Sequence, residues 1–316
     1  MLAESFITLT ALLSVSAPTY QDPRDAVAAM NALPVAKYVA ATPIGPIKMR
    51  AESVGVDITA RAAVVLDVAS GESLYEKDEQ TSYPIASLTK LMTAMTFLDT
   101  KPNLSEQVTV LNEDDPREGR AVFPTGERFT KGELLQALLV GSVNTAGNVL
   151  ARTSGGQEKF VARMNEKAHQ LHLRRATFVE LTGLDARNQA TAHDVALILR
   201  AALSYPEIRE ITEHTSVTLP GRVSGRPYVI DSTNLLLGSF LNKAPYRIVA
   251  AKTGSLPEAG FCLAQVTRRD GNEVITVVLG SANHFVRFQD AKSLTYWAFQ
   301  TYAWPASTVQ AASVRF

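Results

Sequence analysis

The sequence predicts an α+β fold: an antiparallel five-stranded sheet with flanking helices and an inserted all-helical lobe. Strand-length apolar runs gather at the two ends of residues 61–302, helical patterns and helix-start signals fill the middle, and a hairpin turn joins the last two runs.

Taken in order, Ala62-Ala63-Val64-Val65-Leu66-Asp67-Val68 reads as a buried strand, Ala69-Ser70-Gly71-Glu72 as a turn and Ser73-Leu74-Tyr75-Glu76 as the returning strand. Leu88, Leu91, Met92 and Met95 then recur at helical spacing, which puts Ser87 and Lys90 near the start of an amphipathic helix. Thr130 followed by Glu133 forms a capping box for a helix over Lys131 to Val140. That helix ends at Gly141, and Asn144-Thr145-Ala146 opens another. Residues 157–171 form a further helix behind Gly155-Gly156, and Thr191 with Asp194 starts one that reaches about Ser204. Strands return at Ile248–Thr253, Phe261–Arg268 and Glu273–Gly280, the last two joined by Asp270-Gly271-Asn272. A final helix runs from about Phe285 to Tyr302.

Composition narrows the function. Of 316 residues, 46% are apolar and 20% charged, ordinary for a globular chain that buries a sizeable core. Lys and Arg number 31 and Asp and Glu number 31, so no net field draws the chain to nucleic acid. The single cysteine, Cys262, excludes an intramolecular disulfide and a Cys-based zinc site; its apolar neighbours make it a small buried hydrophobe. His169 and His172 can share a helix face, yet no acidic partner completes a site around them, so no metal or other cofactor is expected.

Residues 1–17 contain an apolar run, Phe6 to Val15, followed by Ser16 and Ala17. The run lacks a basic flank and is too short to span a bilayer as it stands. It reads either as a degenerate secretion signal or as a buried or frayed N-terminal segment. Membrane contact is expected only if this segment is retained. Residues 18–60, rich in Pro and Ala, read as a linker or arm, 61–302 as the folded domain, and 303–316 as a C-terminal tail.

Three short motifs carry the chemistry. Ser87-Leu88-Thr89-Lys90 is a Ser-x-x-Lys, a pattern that arises about once by chance in a chain of this length. Ser-x-Asn occurs at Ser142-Val143-Asn144, Ser232-Thr233-Asn234 and Ser281-Ala282-Asn283. Most such matches are turns or caps. The first is set apart because it lies at a junction between two apolar helices, where polar side chains need a partner; the other two look like loop punctuation. Lys252-Thr253-Gly254 ends an apolar strand, where Gly254 lets a substrate lie along the strand edge and Lys252 and Thr253 present a cation and a hydroxyl.

In this order the three motifs resemble the penicillin-binding protein and serine β-lactamase superfamily, and more closely its low-molecular-mass D-alanyl-D-alanine carboxypeptidases and endopeptidases. Pro84-Ile85-Ala86-Ser87-Leu88-Thr89-Lys90-Leu91-Met92-Thr93-Ala94-Met95, Phe178-Val179-Glu180-Leu181-Thr182-Gly183-Leu184 and Arg287-Phe288-Gln289-Asp290-Ala291-Lys292 look like that family. The resemblance covers roughly residues 55–302 and implies the β-lactamase/transpeptidase-like form of the fold. Val143 departs from it, because members often carry Gly or an acidic residue there. The C-terminal β-domain and anchoring helix of the longer members are not expected here.

The resemblance implies a serine acyl-transfer enzyme that cleaves D-alanyl bonds of peptidoglycan stem peptides, is covalently inhibited by β-lactams and works outside the cytoplasm, in the periplasm or facing the cell wall. Ser87 would attack and Lys90 would take its proton, which requires an ammonium depressed by burial and by a second cation such as Lys252. Ser142 would relay a proton to the leaving amine, and Asn144 would hold Lys90 and the substrate amide. Lys252 and Thr253 would orient the negative end of the substrate, and the N–H groups of Ser87 and Ser255 would form the oxyanion hole. A class A-like β-lactamase is the nearest rival and needs a carboxylate for its deacylating water, for which Glu180 is the candidate; a structural role for Glu180 fits its surroundings better. A non-catalytic wall-binding protein would have lost a signature residue, and none is lost.

Overall fold

Every side chain of β1 (Ala62–Asp67) is buried, and its two faces feed two different cores. The structure is a computed structural model that describes residues 45–116 and 122–305. The apolar N-terminal run, most of the arm and nearly all of the C-terminal tail lie outside the described residues. With β2 (Ser73–Lys77), β3 (Tyr246–Leu256), β4 (Gly260–Arg269) and β5 (Asn272–Ser281), β1 builds the expected antiparallel sheet in the order β3-β4-β5-β1-β2. The pairing of Val64 with Val277 joins the two ends of the domain, so the chain between β2 and β3 is free to form the helical lobe. Asp270 and Gly271 both take positive φ (51° and 84°), the backbone a two-residue hairpin turn requires.

Alternation in the strands sorts the core. Val64, Leu66, Ile275, Val277 and Leu279 face the helical lobe, while Ala63, Val65, Val274 and Val278 face the long C-terminal helix. Both faces of the sheet are covered, so these strands read as continuous apolar runs rather than as alternation.

In the lobe, α1 (Thr89–Leu98) is buried on every side from Thr89 to Phe97 and is not amphipathic. Four helices pack on it: α2 (Lys131–Val140), α3 (Asn144–Arg152), α4 (Gln157–Gln170) and α5 (Ala192–Ala202). Each fully buried Leu91, Met92, Met95 or Phe97 is worth about 1.5–3 kcal/mol of burial. Two of its buried hydroxyls find partners nearby, Thr89 Oγ1 donating to the Ala86 carbonyl at 2.8 Å and Thr93 Oγ1 to that of Leu181 at 2.5 Å, while Thr96 Oγ1 has no protein partner.

The Thr130–Glu133 capping box is formed, with Glu133 N donating to Thr130 Oγ1 at 3.2 Å and Thr130 N to the Glu133 carboxylate at 2.7 Å. A short connection leads to α3 (Asn144–Arg152), and Thr191 caps α5 by accepting from Asp194 N at 2.9 Å. The short helix α6 (Pro206–Thr212) and the hairpin Ser216–Leu219 with Tyr228–Asp231 have no counterpart in the sequence reading.

The final helix, α7 (Val286–Thr301), lies on the far face of the sheet. Its Asp290 accepts hydrogen bonds from Thr59 N, Thr59 Oγ1, Ala60 N and Ser281 Oγ, and Ile58 and Ala60 are buried in the same core. The last residues of the segment that reads as an arm thus pack against the sheet and helix. Among the described residues no helix is long and apolar enough to cross a membrane.

Candidate active site

Ser87 sits in a single 3-10 turn, Ala86–Leu88, that runs directly into α1. Ala86 leads into it at φ +46°, a left-handed conformation that costs an L-residue about 1–2 kcal/mol. Such strain persists only where the surroundings over-determine it, and two glycines do so here. A β-carbon on Gly183, whose φ is +83°, would lie 1.9 Å from the Ala86 carbonyl oxygen; one on Gly254 would lie 2.9 Å from the Ile85 oxygen and 3.1 Å from Ser87 N. The sequence suggests that Gly254 makes room for substrate. In the structure it first makes room for the backbone that carries Ser87.

Lys90, one turn further on, is 0% exposed. Its Nζ donates to Ser87 Oγ at 2.7 Å and to the Thr182 carbonyl at 2.6 Å. Burial pulls its ammonium down to about 7, with the Glu180 carboxylate pulling the other way. At neutral pH the amine therefore exists in both forms, able to hold or to accept a proton.

Lys252 lies on β3, the edge strand of the sheet, and is 1% exposed. Burial, then the charges of Lys90 and Arg287, hold it well below the ordinary lysine range. Lys90 thus helps to lower Lys252, whereas Lys90 itself is lowered by burial and not by Lys252, the second cation that the sequence reading invoked. Thr253 Oγ1 donates to Thr233 Oγ1 at 2.6 Å.

The α2–α3 connection supplies Ser142, which takes a left-handed φ of +58°, while Val143 N donates to the Ala137 carbonyl at 3.1 Å. A cleft of about 350 Å³ brings Ser142 together with Ser87, Thr253, Gly254 and Ser255. Asn144, half-buried at the start of α3, is not among the cleft-lining residues. The expected bond from Asn144 to Lys90 is not formed; the Lys90 ammonium donates to Ser87 and Thr182 instead. A larger groove of about 680 Å³ borders Glu180 and Asp185 but does not contain Ser87, so the chemistry is assigned to the smaller cleft, which does.

Sequence reasoning missed part of this cleft. Ser232 and Thr233, read as loop punctuation, line it, even though Ser232 Oγ also accepts locally from Asn234 N at 3.2 Å. The third match does behave as a local cap: Asn283 Oδ1 accepts from Phe285 N and Val286 N, each at 3.0 Å. Arg287 and His284 line the cleft as well. Arg287 is 3% exposed; its Nη1 donates to the Gly254 carbonyl at 3.0 Å and its Nη2 lies 3.1 Å from His284 Nδ1. Its guanidinium lies over the Phe261 and Phe288 rings, and Nε has no protein partner. Burial lowers it only to about 10, so it stays cationic at neutral pH. The available signal was a charge at a position that continues the buried stripe Ala291, Leu294 and Ala298 of α7.

Glu180 is fully occupied. Its carboxylate accepts from Thr182 N and Thr182 Oγ1 at 2.7 Å each, from Gly183 N at 2.5 Å and from Asn188 Nδ2 at 2.7 Å. Asn188 Oδ1 in turn accepts from Val179 N and Glu180 N. A carboxylate committed to its own loop is poorly placed to activate a water, which weighs against the β-lactamase rival.

Residues 48–283 match the D-alanyl-D-alanine carboxypeptidase family. A D-alanyl-D-alanine endopeptidase from Pseudomonas aeruginosa is 34% identical over 245 residues, covering 76% of this chain and 77% of that protein. The crystal structure of the Streptomyces K15 DD-transpeptidase is similar with a TM-score of 0.72 at 26% identity, covering 78% of this chain and 100% of that one. Penicillin-binding protein D2 from Listeria monocytogenes, solved in its cefotaxime-bound form, gives 0.68 at 31% identity with coverage of 78% and 100%.

Proposed function

The chain belongs to the D-alanyl-D-alanine carboxypeptidase family and is a serine-type D-alanyl-D-alanine carboxypeptidase/endopeptidase, and from that premise we propose that Ser87 opens D-alanyl bonds of peptidoglycan stem peptides through an acyl-enzyme. The observation that carries this is the 2.7 Å contact between Ser87 Oγ and a buried Lys90 whose ammonium is drawn down to about 7. A serine hydroxyl needs a neighbour to take its proton, and an amine tuned near the working pH is suited to do so.

In this reading, Lys90 takes the Ser87 proton as Oγ attacks the carbonyl carbon. The developing oxyanion is met by the N–H groups of Ser87 and Ser255. Ser142 passes a proton to the departing amine, and the C–N bond breaks. Thr253 presents its hydroxyl to the negative end of the peptide from the cleft wall, with Lys252 buried next to it on β3 and Asn144 behind the wall at the start of α3. Arg287 adds a fixed guanidinium at the cleft wall, the kind of group that recognises the carboxylate of a terminal D-alanine. Water then attacks the ester and returns the proton to Ser87. A β-lactam acylates the same hydroxyl by opening its ring. Such a substrate places the enzyme outside the cytoplasm, facing the wall.

Similarity to the Pseudomonas endopeptidase supports cross-linked peptides as substrates alongside stem peptides. Digestion of intact peptidoglycan separates the two: loss of cross-linked dimers marks endopeptidase action, and free D-alanine without such loss marks carboxypeptidase action alone. A digest unchanged in both respects contradicts the proposed substrate.

A further inference from the structure

We propose that Glu180 is a positioning residue for Lys90, acting through the Thr182 carbonyl and through Asn188. The proposal rests on the reading of Lys90 as the base. Thr182 is gripped at both ends: its N–H and hydroxyl by the Glu180 carboxylate, its carbonyl by the Lys90 ammonium. Asn188 provides a second route. Its Nδ2 donates to the Glu180 carboxylate at 2.7 Å and to Thr89 Oγ1 at 3.2 Å, next to Lys90 in sequence. Glu180 thus ties the 178–188 loop to two consecutive residues of α1.

The same carboxylate is an electrostatic counterweight. Apart from Lys90, α1 has no charged residue; Glu180 from the loop acts on Lys90, while Lys90 and Arg287 of α7 act on Lys252 of β3. Glu180 favours the protonated form of Lys90, against burial. A residue that served only the loop would support folding without reaching the protonation of Lys90. A positioning residue sets both where the amine sits and the pH at which it becomes a base.

The test is the rate of acylation by a fluorescent penicillin, measured on the full chain from about pH 5 to about pH 9. In Glu180→Gln the acylation limb should move to lower pH by about one pH unit, because the charge that stabilised the ammonium is gone. Its plateau rate should fall about tenfold or more, because an amide cannot accept every bond the carboxylate accepts. Glu180→Asp keeps the charge but withdraws it by one methylene, so its limb should stay with the parent while its plateau falls. A folded Glu180→Gln with an unmoved limb overturns the proposal, as does a Glu180→Asp that matches the parent plateau. A parent profile without a limb near pH 7 overturns the assignment of Lys90 itself and this proposal with it. A moving parent limb that ignores Glu180 overturns the positioning role alone.

Discussion

Gly254 approaches Ser87 so closely that a β-carbon at position 254 would lie 3.1 Å from the Ser87 amide nitrogen. The edge strand and the turn before α1 are therefore in backbone contact, and the strained Ala86–Ser87 geometry depends on both. Gly254→Ala should cost about 1–3 kcal/mol, as overpacking does, and should slow penicillin acylation. Gly183→Ala should cost more, because its β-carbon would fall 1.9 Å from the Ala86 oxygen at a left-handed φ. Denaturant unfolding with acylation assays checks the order. A Gly183→Ala variant as stable as Gly254→Ala contradicts it.

The pH dependence follows from the direction in which Lys90 is displaced. Burial lowers its ammonium to about 7, so the neutral, proton-accepting form is lost as pH falls below that value. Acylation should rise with pH through about 7 and decline about tenfold for each pH unit below it. Stopped-flow measurement with a chromogenic cephalosporin reads this directly. A flat profile between pH 5 and pH 7 contradicts the assignment.

Lys90→Met should abolish acylation and leave the protein folded. A buried ammonium is costly, and an apolar chain of similar length removes that cost. The melting temperature is therefore expected near or above that of the parent, with the newly unpaired Thr182 carbonyl limiting the gain. A variant that still acylates at the parent rate excludes Lys90 as the base.

Arg287→Leu should weaken binding of a peptide ending in D-alanyl-D-alanine with a free carboxylate, raising KM about tenfold or more, the scale of a lost charged hydrogen bond. The same peptide capped as a C-terminal amide should be far less affected. Equal losses on the two peptides would mean that Arg287 acts through packing against Phe261 and Phe288 rather than through recognition.

Much of this arrangement was legible in the sequence, for reasons that differ from residue to residue. The five strands were readable because their apolar runs are bounded by turns, and the bounds of α2 because Thr130 and Glu133 mark its start with local hydrogen bonds. The Ser87–Lys90 pair was readable because one helical turn separates them. What escaped depends on contacts between distant segments. Thr233 joins the site through Thr253 and through its N–H to the Val140 carbonyl, 3.1 Å away, which no local pattern encodes. Arg287 was readable only as part of a family-like stretch, and no local pattern says that α7 turns it toward the Gly254 carbonyl. Asn144 was expected on Lys90, but the Thr182 carbonyl takes that place, because the 178–188 loop reaches the lysine.

The central claim is that Ser87 forms the acyl-enzyme. A labelled penicillin incubated with the purified protein, followed by digestion and mass analysis of the labelled peptide, tests it most directly. The expected result is one adduct on the peptide carrying Ser87, absent in a folded Ser87→Ala variant. Undiminished labelling of Ser87→Ala, or an adduct on Ser142 or Ser232 in the parent protein, would contradict it.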